Sequence, residues 1–177
     1  MLKICLVGFG KVGFEFYLQL TAQPGYKELF RITRVQVSNL KNYLDDTEES
    51  NLFFDGDYFL FDKDRYDVFV DASAYNPDSK KLILNAVSSG FDVITCNKDL
   101  ARLDGKQLVE AADQSGSTID FNAIPSSNLP TKYSEVDLNS RNWSDWADDP
   151  DLYIFRGGGP KETAEILVKR VLGRLAV

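Results

Sequence analysis

Histidine is absent from the 177-residue sequence, and cysteine is scarce. Without histidine the chain has no Ser-His-Asp triad, no imidazole metal ligand and no residue of the commonest general-base type. Its two cysteines, Cys5 and Cys96, both lie in strand-like apolar runs. In a reduced compartment this pattern is typical of small core residues rather than of a disulfide or a metal pair, so we predict no metal site.

Basic residues and long apolar runs are also few. The 20 Lys and Arg residues are outnumbered by 27 Asp and Glu residues, which gives a net charge of −7. A chain of this sign repels a phosphate backbone, and its basic residues do not cluster, so we expect no nucleic-acid partner. No apolar run approaches the roughly 18 residues of a membrane span, and no signal-peptide pattern follows Met1. We therefore expect no membrane association and a cytoplasmic location.

The residues that are present predict one α/β domain. Apolar residues make up 44% of the chain, which is enough for a core. Strand-like runs alternate with helical patterns, which is typical of a doubly wound, mainly parallel sheet with helices on both faces. Between 41 and 65 we expect a surface loop that contains either a short hairpin, indicated by Asp55-Gly56, or a helical turn. The predicted strands cover 2–7, 31–37, 67–73, 91–95, 118–121 and 152–155, and the predicted helices 14–22, 78–89, 105–114 and 160–177.

A glycine-rich loop directly follows the first predicted strand and directly precedes the first predicted helix. In a Rossmann-like fold this G-x-G-x-x-G pattern binds the pyrophosphate of a dinucleotide. Gly8 makes the tight turn, Gly10 lets the pyrophosphate approach the backbone, and Gly13 lets helix and strand pack closely. A glycine-rich turn that binds nothing is the alternative. The predicted cofactor-binding residues of the loop are Gly8, Phe9, Gly10, Lys11, Val12 and Gly13.

The end of the second predicted strand lacks the acidic residue that commonly holds the ribose 2′-hydroxyl of NAD. Ser38 and Asn39 occupy that place, with Arg34 and Lys41 near by. Neutral residues with a cation in reach favour a 2′-phosphate, although four acidic residues follow at 45–49. The sequence therefore predicts NADP or NAD as the cofactor, with a lean towards NADP.

Several motifs together resemble the homoserine dehydrogenase family. The glycine loop at 8–13 is similar to that family's GxGxVG, and DVFVDASA at 67–74 is similar to its strand that ends beside the nicotinamide. The most specific likeness is GFDVITCNK at 90–98, which matches the family's G-x-x-V-V-T-x-N-K. FNAIPSSNLP at 121–130 and RGGG at 156–159 resemble the loops on either side of the family's second domain.

This resemblance implies an NAD- or NADP-dependent oxidation of L-homoserine to aspartate semialdehyde, or the reverse, as a step of amino-acid biosynthesis. Lys98 matches a lysine that the family is thought to use in proton transfer near the reacting carbon. Ser73 and Asn97 match positions near the nicotinamide. The resemblance thus adds Ala72, Ser73, Asn97, Lys98, Gly157 and Gly159 to the predicted cofactor-binding residues.

The same resemblance exposes a missing part. Between the loop at Pro130 and the strand at Leu152 the family inserts a substrate-binding domain of well over a hundred residues, whereas here only a short acidic stretch occupies 131–151. We therefore expect an NAD(P)-binding Rossmann domain at 1–130, an acidic connector at 131–151, and a closing strand and helix at 152–177.

Three functions remain open at this point. The first is an NAD(P)-binding, homoserine-dehydrogenase-like protein without complete catalysis of its own. The second is an active oxidoreductase whose site is completed by a homodimer, a partner chain or residues 131–151. The third is an interaction domain that has lost the cofactor, since Phe14, Phe16 and Tyr17 could fill the groove and Trp143 and Trp146 could anchor a partner.

Overall fold

A single sheet of six parallel strands organises the chain. The computed structural model describes residues 1–42, 52–55, 61–124 and 159–176. The strands are β1 (Leu2–Val7), β2 (Phe30–Gln36), β3 (Phe53–Phe54), β4 (Val68–Asp71), β5 (Asp92–Thr95) and β6 (Ile119–Asp120). Their spatial order is β3-β2-β1-β4-β5-β6, and every neighbouring pair is parallel. The strand order therefore reverses between β1 and β4, which confirms the predicted doubly wound parallel sheet.

Helices cover both faces of this sheet, as predicted. The helices are α1 (Lys11–Thr21), α2 (Tyr26–Leu29), α3 (Pro77–Ser88), α4 (Lys98–Ser115) and α5 (Pro160–Gly173). One buried cluster joins α1 and α5 to Ile4 and Leu6 of β1. The other joins α3 and α4 to Cys5 and Val7 of the same strand. Because both faces of β1 are covered, residues 4–7 of this strand form an uninterrupted apolar run instead of alternating with polar residues.

A β-bulge interrupts the pairing of β1 with β2. Ile4 lies opposite Ile32, but Cys5 lies opposite Arg34, so Thr33 is the extra residue. The Thr33 hydroxyl donates to the Ile4 carbonyl at 3.2 Å. Ile32 and Val35 are three residues apart, yet both pack in the α1/α5 cluster because of this bulge. The bulge explains why the alternation in 31–37 is imperfect.

Two helices begin several residues earlier than expected, and the last helix ends at Gly173 with a 3₁₀ turn at Arg174–Ala176 instead of continuing as an α-helix. Helix α1 begins at Lys11, so the last three residues of the glycine motif form its first turn. Helix α4 begins at Lys98 and not at Gly105, which lies buried inside it. The later start was wrong because Asn97 caps the helix through its side chain, which accepts from the Leu100 N–H at 3.0 Å. A glycine inside a packed helix is tolerated, so Gly105 marks no boundary.

Some expectations fall partly or wholly outside the described residues. Phe53–Phe54 pairs in parallel with β2, while the second arm of the predicted hairpin would fall on residues 56–60, which are not described. The connector at 131–151, the strand at 152–155 and Gly157 also lie outside. The division of the chain into three parts therefore stays a prediction. None of the described helices has the length and apolarity that a membrane crossing requires.

Candidate functional site

A cleft of about 810 Å³ opens at the carboxyl ends of β1, β2 and β4. This is the point where the strand order reverses, and open α/β sheets bind their ligands in the crevice at that point. A volume of this size is within the range of small-molecule and cofactor sites. The lining residues are Gly8, Phe9 and Gly10; Gln36, Val37 and Ser38; Phe61; Ala72, Ser73 and Ala74; and Asn76, Asp78, Ser79, Lys81, Leu82 and Asn85 on or before α3.

Two glycines shape the wall of the cleft through close backbone packing. Gly8 has a φ of +88°, a conformation that L side chains rarely adopt. A Cβ at Gly8 would lie 2.7 Å from the Ser73 Cα atom, and a Cβ at Gly13 would collide with the Gly8 carbonyl oxygen. The first turn of α1, the glycine loop and the loop after β4 are therefore in direct contact.

Gly10 is glycine for a different reason. A Cβ at Gly10 would meet no protein atom within 4 Å, and its φ of −76° suits any residue. Gly10 is also the N-cap of α1, where no side chain caps the helix and no acidic residue occupies the first turn. The first N–H groups of a helix carry partial positive charge and attract anions. The open space at Gly10 would therefore admit a phosphate group next to the N-terminus of α1.

A buried carboxylate connects the ends of β4 and β5. Asp71 is fully buried, and its Oδ1 accepts from the Ser73 hydroxyl at 2.6 Å and from the Ser73 N–H at 3.0 Å. Its Oδ2 accepts from the Thr95 hydroxyl at 2.7 Å. Burial raises the pKa of Asp71 above the usual value for aspartate, and the hydrogen bonds from Ser73 and Thr95 partly oppose that shift.

The same network continues to the start of α4. The Thr95 Oγ1 accepts from the Asn97 N–H at 3.0 Å, and the Asn97 amide donates to the Ser73 carbonyl at 3.2 Å. Lys98 is the first residue of α4 and is half-buried. Ser73 is therefore brought next to Asn97, 24 residues further along the chain, and to the start of α4 at Lys98, at the carboxyl ends of β4 and β5.

The end of β2 contains one residue of the predicted ribose site. Ser38 is exposed and lines the cleft. Asn39 does not line it, and its Oδ1 accepts from the Lys41 N–H at 3.1 Å. The carboxylate of Asp55 approaches the same turn, where it accepts from the Leu40 N–H at 3.4 Å.

Arg34 does not lie at the ribose site, contrary to the expectation that this cation is within reach of Ser38. Its guanidinium stacks over the Phe54 ring at 5.4 Å. Arg34 also lines a second cavity of about 370 Å³, together with Met1 and Lys3 at the amino-terminal end of β1. Of the two cations that were expected near a 2′-phosphate, Arg34 is therefore excluded and Lys41 is left.

Six of the predicted cofactor-binding residues line the cleft, and the others support it or lie elsewhere. The lining residues are Gly8, Phe9, Gly10, Ser38, Ala72 and Ser73. The described residues that do not line it are Lys11, Val12, Gly13, Asn39, Asn97, Lys98 and Gly159. Gly159 is the exposed N-cap residue of α5, and its carbonyl accepts from the Thr163 hydroxyl at 3.1 Å.

The face of α3 was missed by sequence reasoning, which placed no binding residue there. Asn76, Lys81 and Asn85 all line the cleft. The available signal was Asn76-Pro77-Asp78-Ser79, because Asn before Pro starts a helix and the helix after the switch-point strand borders the crevice. In the structure Asn76 and Ser79 form a reciprocal capping box.

The bulky aromatic residues after the glycine loop do not fill the cleft. Phe16 is fully buried in the core, and Phe14 is 47% exposed. Phe14, Tyr17 and Phe53 contact the Phe9 ring edge-on, with centroid distances of 5.7, 5.8 and 5.2 Å. Of this aromatic cluster, Phe9 alone lines the cleft in the part of the chain that the structure describes.

The model of the homoserine dehydrogenase NAD-binding domain matches residues 8–122. No curated protein sequence matches significantly. Homoserine dehydrogenase from Thiobacillus denitrificans is 23% identical, covers 75% of this chain and 32% of its own, and superposes with a TM-score of 0.58.

Two further homoserine dehydrogenases extend this likeness. The S. aureus enzyme is 18% identical over 92% of this chain and 45% of its own, with a TM-score of 0.55. A hyperthermophilic archaeal enzyme in complex with NADPH is 15% identical over 75% of this chain and 47% of its own, with a TM-score of 0.50. At these identities the structures show a shared fold alone, and the chain spans a third to a half of their length. Since the family model covers more than half of the chain, the protein belongs to the family of homoserine dehydrogenase NAD-binding domains.

Proposed function

We propose that the chain binds a pyridine dinucleotide in the cleft between β1 and β4, with the pyrophosphate over Gly10. The observation that carries this proposal is the open space at Gly10 on the N-terminus of α1. Gly8 and Gly13 are explained by contacts within the protein, whereas Gly10 meets no protein atom that would require it to be glycine. The cleft volume of about 810 Å³ is consistent with a ligand of this size.

The described residues fit the two halves of such a cofactor. Ser38 at the end of β2 would contact the adenosine ribose. Ala72 and Ser73 would border the nicotinamide, with Asn97 holding Ser73 from behind, and the bound nicotinamide would supply hydride-transfer chemistry. Lys98 Nζ would hold or release the proton of a reacting hydroxyl group.

We further propose that NADPH is bound in preference to NADH. Ser38 carries no carboxylate that would repel a 2′-phosphate, and Lys41 is exposed in the same turn. The carboxylate of Asp55 opposes this preference, so we expect a moderate difference in affinity rather than exclusion of NADH.

We propose that the chain does not oxidise homoserine without a further domain or partner. Hydride transfer requires the substrate carbon to be held against the nicotinamide with a base in reach. Among the described residues of the cleft and the adjoining loops, Lys98 is the one side chain with a proposed catalytic role. The Rossmann domain at 1–130, the acidic connector at 131–151 and the closing strand and helix at 152–177 would then form a cofactor-binding module that has lost the substrate domain.

A second candidate is an oxidoreductase completed by another copy of the chain or by a partner protein. The observation that favours it is the placement of Lys98 at the start of α4 by the hydrogen bonds of Asn97. A chain that had lost all catalysis would have no need of this arrangement beyond helix capping.

Calorimetric titration of three proteins with NADPH and NADH tests the binding proposal. In the Gly10→Ala variant the new methyl group occupies the proposed phosphate space, so we expect at least about tenfold weaker binding with an unchanged fold. Gly173→Ala is the matched control, because its Cβ also meets nothing within 4 Å and lies outside the cleft. Equal affinity of all three proteins, or no binding by the wild type at millimolar cofactor, would contradict the proposal.

Turnover assays separate the two candidates for catalysis. The chain alone, with NADP and homoserine or with NADPH and aspartate semialdehyde, should show no turnover above the blank. If the wild-type chain alone shows turnover and the Lys98→Ala variant shows none, the proposal that the chain lacks catalysis of its own is overturned. The same result would support the second candidate, an active oxidoreductase. The oligomeric state of the active sample would then decide between a second copy and another partner.

A further inference from the structure

We propose that Asp71 is a positioning residue whose buried carboxylate holds the loops after β4 and β5 in one arrangement and so forms the nicotinamide half of the cleft. This inference rests on the proposed dinucleotide binding for its effect on affinity. Its effect on the two loops is a property of the free protein and is measurable without any ligand.

Every hydrogen-bonding atom of Asp71 beyond the sheet ladder contacts one of these loops or Thr95, the residue that directly precedes the second loop. Oδ1 accepts two hydrogen bonds from Ser73, and Oδ2 accepts one from Thr95. The backbone carbonyl accepts from the Cys96 N–H at 3.1 Å. One fully buried residue therefore fixes the first residues of both loops.

The hydrogen bond from Thr95 has a required direction. The Thr95 hydroxyl has one proton, which it gives to Asp71, so its lone pairs are left to accept from the Asn97 N–H. Three donors thus converge on the two oxygens of Asp71. An asparagine at 71 has a single oxygen, so at least one of the Ser73 N–H and the Thr95 hydroxyl would face an NH₂ group instead of an acceptor.

The consequence reaches the cleft through Ser73 and Asn97. The Ser73 backbone lies against Gly8, where a Cβ would come within 2.7 Å of its Cα. The Ser73 carbonyl accepts from the Asn97 side chain, which also caps the helix that begins at Lys98. The adenosine half of a dinucleotide binds at the end of β2, on the other side of the glycine loop. A change at Asp71 should therefore affect the nicotinamide half selectively.

Asp120 provides a comparison within the same molecule. It is also buried, but its Oδ2 accepts from the Arg170 Nε at 2.6 Å, which joins β6 to α5. Among the described residues Asp71 has no such ion pair, and its contacts with Ser73 and Thr95 are all with uncharged donors. A role as an anchor for loops, rather than as half of an ion pair, is the one that these contacts support.

The first test measures affinity for a whole cofactor and for its adenosine half. Wild type, Asp71→Asn, Thr95→Val and Thr95→Ser are titrated with NADPH and with adenosine 2′,5′-bisphosphate, or with NADH and ADP if NADH binds more tightly. We expect about tenfold weaker binding of the dinucleotide to Asp71→Asn and Thr95→Val, fragment affinity within about twofold, and recovery in Thr95→Ser, which keeps the hydroxyl. Asp120→Asn is the control and should change neither affinity.

The second test measures amide hydrogen exchange in the free proteins. The N–H groups of Ser73 and Asn97 should exchange at least about tenfold faster in Asp71→Asn and Thr95→Val, while those of β6 are unchanged. Unchanged exchange at both amides, or equal loss of dinucleotide and fragment affinity, would overturn the inference. If the wild type binds no dinucleotide, the proposed function fails, and the exchange data alone decide whether Asp71 holds the loops. If Asp71→Asn does not fold, Thr95→Val and Thr95→Ser give the same comparison.

Discussion

The cleft has two walls that are built in different ways. The glycine loop after β1 is shaped by missing side chains, because a Cβ at Gly8 or Gly13 would overlap backbone atoms. The loop after β4 is shaped by side chains, because Asp71, Thr95 and Asn97 form hydrogen bonds across 24 residues of sequence that hold it against the loop after β5, which lies behind the lining. A steric wall is destroyed by one methyl group, whereas a hydrogen-bonded wall weakens in steps as donors and acceptors are lost.

The largest effect is expected at the steric wall. In Gly13→Ala the new Cβ would overlap the Gly8 carbonyl oxygen, a backbone atom that can move only if the glycine loop moves with it. We expect destabilisation by about 3 kcal/mol or more, and a thermal midpoint lower by roughly 6–12 °C for a chain of this size. Circular dichroism melts of Gly13→Ala and Gly173→Ala measure the difference. A melt of Gly13→Ala that coincides with the wild type would show that the loop can adjust.

The hydrogen-bonded wall should show an intermediate effect. Thr95→Val keeps the shape of the side chain but leaves a buried Asp71 oxygen and the Asn97 N–H without their partner. We expect destabilisation by about 2 kcal/mol, with about half of the loss recovered in Thr95→Ser. Urea unfolding measures both variants. Equal stability of Thr95→Val and wild type would mean that the hydroxyl contributes nothing to this wall.

A smaller effect is expected at the rim of the cleft, where neither wall is disturbed. Ser38→Asp adds a negative charge at the ribose end of the cleft, so the ratio of NADPH to NADH affinity should fall by about tenfold. Asn39→Asp is the matched control, since Asn39 does not line the cleft. An aspartate at this position can still accept the hydrogen bond from the Lys41 N–H. A similar change of the affinity ratio in both variants would mean that the 2′-group of the cofactor does not bind next to Ser38.

The smallest expected effect is a dependence on pH that arises from Asp71. Burial raises the pKa of Asp71 in the folded chain above the unfolded value of 3.8, so the folded chain holds this proton more tightly. The stability that wild type has relative to Asp71→Asn should therefore be fully present below pH 3.8 and be lost as pH rises through the raised pKa of the folded chain. Urea unfolding of the two proteins across the acid range measures the slope. A difference that grows with pH would contradict the assigned direction of the shift.

The fold and the steric wall were predictable because both depend on local patterns. Alternating strands and helices predicted the parallel sheet, and the spacing of Gly8, Gly10 and Gly13 predicted the loop. The network of Asp71 was not predicted, because the sequence does not show which polar residues at separate strand ends will meet. The position of Arg34 was wrong for a related reason, since the bulge at Thr33 changes the face on which Arg34 lies.

Chemical-shift mapping with NADPH tests the central claim most directly, because it locates the ligand on the intact chain. The account predicts that the amides of Gly8, Gly10, Ser38 and Ser73 shift in a saturable way, while those of Lys3, Arg31 and Tyr66 around the second cavity do not. Shifts confined to the second cavity, or no shifts with millimolar NADPH or NADH, would contradict it.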